Sequence, residues 1–225
     1  MNTALVGHTG TIGSSLINTR TITHRYNSAN INDLRQHHYE LVIVAAPSGN
    51  RLTVAEDPTG DAENITGIIQ ELQQTQIKRI ILISTVDTIA RPDTAYGRNR
   101  LALENAVKEL GIEYHILRLS TLVGKTIKKN VLFDLKNNQF VHKINAKSVI
   151  QWCLLDQLSA EIDWVINNNV QELNLVSEPI CNQDLIDKFF PGVNPGSQAL
   201  TVQYDVQPYR YSSSDIYLAI GNYLQ

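Results

Sequence analysis

The run Ala4-Leu5-Val6-Gly7-His8-Thr9-Gly10-Thr11-Ile12-Gly13 constrains this 225-residue chain more than any other stretch. A short apolar strand leads straight into three glycines spaced G-x-x-G-x-x-G, and a helix-compatible segment follows from Ser14. Gly7 permits a tight turn, Gly10 lets the backbone approach a pyrophosphate, and Gly13 allows the helix to pack close to the strand. Thr9, Thr11 and Ile12 complete the loop, whose N–H groups at the positive end of a helix suit phosphate oxygens. An ordinary glycine turn can contain the same three residues. Their position directly after a strand favours nucleotide binding.

Strand and helix alternate through the first half of the chain. Thr21–Tyr26 is β-prone and follows so soon that the first helix must be short. Asn27–His38 reads as a loop and a polar helix. Glu40–Pro47 is a nearly all-apolar run, as in a buried parallel strand, ended by proline. Helical spacing of Ile65, Ile68, Ile69 and Leu72 marks Asp61–Thr75, and Lys78–Thr85 is the next strand. Ala95–Gly111 is a helix stopped by glycine, followed by a strand over Glu113–Leu119. This order predicts an α/β Rossmann-type doubly wound parallel sheet with helices on both faces. Beyond Gly124, Val131–Asn138 and Ser148–Asn168 read as mainly helical, Glu172–Val176 as a strand and Asn182–Phe190 as a helix. A final amphipathic helix is expected near Ser214–Tyr223. The economical organisation is one domain over residues 1–225, with a cofactor-binding core to about residue 124 and a small C-terminal elaboration.

Composition narrows the partners. A net charge of −3 gives no general reason to bind nucleic acid or an anionic membrane surface, and no apolar run approaches a membrane span. Cys153 and Cys181 lack metal-type spacing and read as small buried residues. His24, His37, His38 and His142 show no metal-binding pattern. With the first strand beginning almost at Met1, no signal peptide is expected and the cytoplasm is the default address.

Two further segments complete a pattern. Ile83-Ser84-Thr85-Val86-Asp87 closes a strand, and eleven residues past Thr85 comes Tyr96-Gly97-Arg98-Asn99-Arg100 on a helix. Together with the glycine run, the chain resembles the short-chain dehydrogenase/reductase superfamily. It is most similar to the extended branch of nucleotide-sugar epimerases, dehydratases and reductases, which carries a Ser or Thr after the fourth strand and Y-x-x-x-K on the next helix. Ala45-Ala46-Pro47, Asn64-Ile65-Thr66-Gly67, Arg118–Gly124 and Glu172–Val176 also fall in family order, so the resemblance covers roughly residues 1–190.

The resemblance implies that Tyr96 is the general acid/base, that Thr85 hydrogen-bonds the same substrate oxygen, and that Ala45, Ala46 and Pro47 line the cofactor. The family lysine is Arg100 here. Arginine keeps the charge and can bond ribose hydroxyls, but it holds its proton too tightly for a relay and its fork has a different reach. Sugar-nucleotide dehydratases of the branch carry Asp-Glu after the threonine. Here Val86-Asp87 stands there, which disfavours dehydration, and Asp87 reads as a solvated loop carboxylate more readily than as a substrate-facing one. Lys125, Lys128, Lys129 and Asn130 are either diphosphate contacts or an exposed basic loop. The resemblance also implies a homodimer.

For the cofactor, no acidic residue lies between Gly13 and Asp33 to bind a ribose 2′-hydroxyl, whereas Arg25 stands near the predicted strand end. That favours NADP over NAD. The expected activity is oxidation, reduction or epimerisation at a carbonyl or hydroxyl of a small-molecule substrate, a sugar or nucleotide sugar. The competing reading is a non-catalytic dinucleotide-binding module, structural or redox-sensing.

Overall fold

The computed structural model describes residues 1–196 and 201–225. In chain order the main elements are β1 (Thr3–Val6), α1 (Thr11–Thr19), β2 (His24–Tyr26), β3 (Leu41–Val44), α2 (Arg51–Glu56), α3 (Pro58–Gln74) and β4 (Arg79–Thr85). Then come α4 (Asp87–Ala90), α5 (Ala95–Glu109), β5 (Glu113–Leu119), β6 (Thr121–Val123) and α6 (Val131–Lys136). The rest comprises β7 (Val149–Ile150), β8 (Trp152–Leu154), α7 (Leu158–Asn167), β9 (Glu172–Leu175), β10 (Ile180–Cys181), α8 (Asn182–Phe189) and α9 (Ser213–Leu224).

The chain forms two compact units. The first takes Met1–Arg118 and Leu158–Leu173, the second Leu119–Gln157 and Asn174–Gln225. The sheet runs in the order β9-β5-β4-β3-β1-β2. It is parallel with flanking helices, as the alternation of elements predicts. Every residue of β1 and β3 is buried, which explains why these strands read as continuous apolar runs. Successive side chains point to opposite faces. Val6, Val42, Val44, Ile80, Leu82 and Ile116 pack with Ile65, Ile68 and Leu72 of α3 and with Leu103 and Val107 of α5. The alternate set, Leu5, Ile43, Ile81 and Leu117, is likewise shut from solvent.

Local signals set the helix starts. Pro58 opens α3 behind Asp57, whose side chain accepts from Gly60 N at 2.9 Å. Thr94 caps α5 by accepting from Gly97 N at 3.0 Å. Ser212 and Asp215 form a reciprocal capping box at α9.

Three segments depart from the sequence expectation. The usual dinucleotide-binding sheet places a further strand outside β2, in the order 3-2-1-4-5-6. Here the sheet ends at β2. A crossover to a parallel strand takes about a dozen residues or more, and the stretch 27–37 is spent on a 3₁₀ turn, Ile31–Gln36, rather than the expected polar helix. His38–Tyr39 then pairs with Gln76–Ile77 instead. The second strand is also shorter than Thr21–Tyr26, beginning only at His24. Finally, Ser148–Asn168 is helical only from Leu158. Its first part holds β7, paired with β10, and β8, paired with β6. Buried Gln151 stitches this part down, its amide bonding the Ser177 and Val206 carbonyls and the Val206 N–H. Short apolar runs carry no decisive period, and tertiary pairing decides them.

Candidate active site

The sheet order reverses beside β1, where the chain leaves for β2 on one side and β3 on the other. Crevices at the carboxyl ends of such strands are where open α/β sheets bind ligands. Gly7 turns there with φ +88°, and a Cβ on it would lie 2.5 Å from the Ala45 carbonyl oxygen. A Cβ on Gly13 would lie 2.2 Å from the Gly7 carbonyl oxygen. On Gly10 a Cβ would meet only that oxygen, at an ordinary 3.5 Å. Gly7 and Gly13 thus let backbone pack on backbone, whereas Gly10 and Thr9 face solvent. The first helical bond of α1 is Ser14 N to Gly10 O at 2.9 Å. The N–H groups of Thr11, Ile12 and Gly13 precede it and have no acceptor within the helix. Gly10 supplies no side-chain cap and the first turn holds no acidic residue, leaving this helix start suited to an anion. The loop is tied to the end of β2, because Tyr26 O accepts from Gly7 N at 2.8 Å and lies 2.9 Å from His8 Nδ1.

Tyr96 is the second residue of α5, half-buried, with its hydroxyl close to Gly49. Two guanidinium groups lie against its ring, Arg100 at 4.5 Å and Arg51 at 5.7 Å from the centroid. They differ in company. Arg100 is buried and forks onto Asp61, with bonds of 2.8 and 3.0 Å, and its Nη2 also donates to Ser48 O at 2.7 Å. Asn99 adds a 2.8 Å bond to the same carboxylate. Arg100 therefore joins three segments at Tyr96, namely the loop after β3, the first turn of α3 and α5. Lysine cannot make this fork. Arg100→Lys is expected to lower unfolding free energy by about 1.5–3 kcal/mol, the worth of a lost bond between charged groups, which urea denaturation would measure.

Thr85 ends β4 and is buried. Its hydroxyl oxygen accepts from Asp87 N at 3.3 Å, and its carbonyl accepts from the Thr88 hydroxyl at 3.0 Å. Asp87 corrects an expectation. Rather than a solvated loop carboxylate it is 1% exposed, with Arg51 Nε 2.5 Å from Oδ2. Arg51, Asp61 and Ser48 escaped the sequence reading. An arginine standing for lysine was the one available signal, since a buried fork requires a carboxylate partner.

The remaining candidates lie elsewhere. Arg25 is exposed in the middle of β2, and Asn27, Ser28 and Asn30 follow in a turn closed by Asn30 Oδ1 accepting from Asn27 N at 2.8 Å. Lys125, Lys128 and Lys129 are exposed in the second unit. Lys125 lines a cavity of about 340 Å³ there, with Asp156, Asp215 and Tyr223. Asn130 is committed to the fold, since it caps α6 through Oδ1 and donates Nδ2 to Leu122 O at 2.7 Å. Among the described residues no group of His, Cys, Asp and Glu is arranged to hold a metal, and no helix is long and apolar enough to cross a membrane.

No family model and no curated protein matches the chain. Solved structures do. A dTDP-glucose 4,6-dehydratase double mutant from Streptomyces venezuelae, with NAD bound, superposes with a TM-score of 0.78 at 12% identity, covering 99% of this chain and 96% of its own. UDP-glucose 4-epimerase from Thermotoga maritima, with UDP-glucose, gives 0.70 at 16% identity, covering 100% and 97%. A dTDP-4-dehydrorhamnose reductase from Clostridium acetobutylicum gives 0.70 at 16%, covering 96% and 91%. At these identities the likeness is one of fold, and it extends over nearly the whole chain.

Proposed function

We propose that this chain is an NAD(P)-dependent enzyme of the short-chain dehydrogenase/reductase type, acting on a carbonyl or hydroxyl of a sugar or nucleotide sugar. The observation that carries the reading is the convergence at one sheet reversal of the open glycine loop, the loop after β3, and Tyr96 braced by Arg100. The fit to a dinucleotide rests on that loop. Its turn and its helix packing tolerate only glycine, its middle glycine stands open, and three N–H groups begin the helix. Solved structures of this fold include one with NAD bound and one with both NAD and UDP-glucose.

A bound nicotinamide supplies or accepts the hydride. Tyr96 gives or takes the proton at the substrate oxygen, Thr85 steadies that oxygen by a hydrogen bond, and Arg100 holds the Tyr96 ring and the Ser48–Gly49 backbone in place. Ala45, Ala46 and Pro47 wall the cofactor. Arg25, with no acid at the end of β2, suits a 2′-phosphate and hence NADP. Val86 in place of a carboxylate leaves reduction or epimerisation as the activity. A non-catalytic dinucleotide module is the competing reading, and the closure of Arg100 onto Asp61 in place of the family lysine favours it.

Calorimetry with NAD, NADH, NADP and NADPH on stripped protein is the test. Binding of one oxidised–reduced pair is expected, with Arg25→Ala weakening the phosphorylated pair about tenfold. Absence of binding by folded protein would overturn the proposal. Tyr96→Phe should keep cofactor affinity and lose roughly 10²–10⁴-fold in hydride transfer. If wild type and variant both bind and neither turns over a panel of nucleotide sugars, the binding-module reading stands instead.

A further inference from the structure

We propose that the cavity of the second unit binds a free α-amino acid with an apolar side chain, its carboxylate on Lys125 and its ammonium on Asp156.

Every residue lining this cavity belongs to that unit. Its volume of about 340 Å³ lies at the lower end of the roughly 300–1,000 Å³ usual for small-molecule sites. β6 and β8 pair in parallel with Val123 opposite Leu154, and both of these residues line it. Just beyond that pair, Lys125 leaves one strand end and Asp156 the other. The wall from α9 is Asp215, Leu218, Ala219, Asn222 and Tyr223, spaced i, i+3, i+4, i+7 and i+8 and so one stripe of the helix. Fully buried Ile216 and Ile220 hold the helix down beside that stripe. Leu218 is nonetheless 69% exposed, an apolar surface that a ligand in the cavity would cover.

The charges around the cavity select the ligand. Lys125 and Asp156 are of opposite sign, yet among the described residues neither side chain makes an ion pair or a hydrogen bond. The Gln157 and Asn222 side chains are uncommitted in the same sense. Asp156 is seated against the strand end, because a Cβ on Gly124 would lie 3.0 Å from its Oδ1 and the glycine leaves that space open. Asp215 adds a second carboxylate, whose Oδ2 accepts from the N–H and hydroxyl of Ser212. With two carboxylates to one lysine, a phosphate meets net repulsion. Among the described residues no group of His, Cys, Asp and Glu is arranged to hold a metal. A simple amine leaves Lys125 unanswered, and a neutral sugar leaves both charges unanswered. A zwitterion answers both at once, and its side chain is left for the apolar wall of Leu154, Leu218 and Tyr223.

The experiment follows amide NMR shifts of the isotope-labelled full chain on titration with L-leucine or L-phenylalanine. Each is compared with the amine lacking its carboxylate and with the acid lacking its ammonium. At least one amino acid is expected to bind about tenfold or more tighter than either analogue, with shifts at Lys125, Asp156, Leu218 and Ala219. Glycine, with no side chain for the apolar wall, should bind about tenfold or more weaker. Asp156→Asn should weaken the amino acid about tenfold, and Lys125→Gln should erase its advantage over the amine. Both residues are exposed and hold no other group in place, so both variants should fold, which circular dichroism checks. Should either variant fail to fold, the comparison of analogues on wild type decides. Binding of neither amino acid at millimolar concentration would overturn the proposal. So would an amine or glycine that binds as tightly as the amino acid, or affinity unaltered in both variants.

Discussion

Gly13→Ala is expected to abolish dinucleotide binding and to destabilise the protein, whereas Gly10→Ala is expected to weaken binding alone. The added methyl at position 13 would lie 2.2 Å from the Gly7 carbonyl oxygen and 2.7 Å from the His8 Cα. Both obstacles are backbone, so α1 or the turn must move. Forced overpacking of this kind costs about 1–3 kcal/mol. Any shift takes the N–H groups of Thr11 and Ile12 out of line with the phosphates. With charge-assisted bonds worth about 1.5–3 kcal/mol each, losing two lowers affinity by roughly a hundredfold or more. At position 10 the methyl meets ordinary van der Waals distance and φ is −74°, which alanine adopts freely. Stability should then fall by no more than about 1 kcal/mol, the scale of an N-cap change, while the methyl intrudes on the open side of the loop. Calorimetry with NADH and urea denaturation on the two variants separate packing from ligand contact. Equal behaviour of the two would contradict the distinct roles of these glycines.

The close backbone packing at Gly7 and Gly13 was legible from spacing alone, as were β1, β3, β4 and β5, because a buried parallel strand writes itself as a continuous apolar run. The Tyr96 surroundings were not. Arg100 and Asp61 are 39 residues apart in the chain, and Arg51 and Asp87 are 36 apart. Pairing at such separation is fixed by how helices and loops are laid on the sheet, which no local pattern records. Asp87 illustrates the cost. In sequence it is an acid in a turn, and the arrival of Arg51 from 36 residues away helps to make its burial tolerable. The missing edge strand outside β2 was hidden differently. Asn27–His38 reads as a loop and a polar helix, and only the strand pairing shows that His38–Tyr39 joins Gln76–Ile77 instead of extending the sheet beyond β2.

Arg118→Met is expected to cost about 3–5 kcal/mol, the penalty for stranding a buried charge. Glu104 on α5 is fully buried, and Arg118 on β5 supplies its cation while Ser84 donates to it at 2.6 Å. Removing the guanidinium leaves that carboxylate with one hydroxyl and no counter-charge. Replacing both partners, as Glu104→Leu with Arg118→Met, should recover most of the loss, since a well-packed apolar pair avoids desolvation altogether. The same network predicts acid sensitivity. Burial pushes the Glu172 carboxyl up, but bonds from Lys108 and Arg118 outweigh it and hold the group below its ordinary value. A carboxylate depressed in the folded state contributes stability above its unfolded pKa of about 4.3, and that contribution is lost as pH falls through the folded value. Glu113, held low chiefly by its bond from Arg79, acts in the same sense. The expected profile is therefore flat in these groups near neutrality and falling below about pH 4.5. In Arg118→Met the Glu172 part of that slope shrinks, because one of the two cations that depress it is gone. Urea midpoints at pH 7 and pH 4 for both proteins would show it, and an unchanged slope would mean that Lys108 alone sets the titration of Glu172.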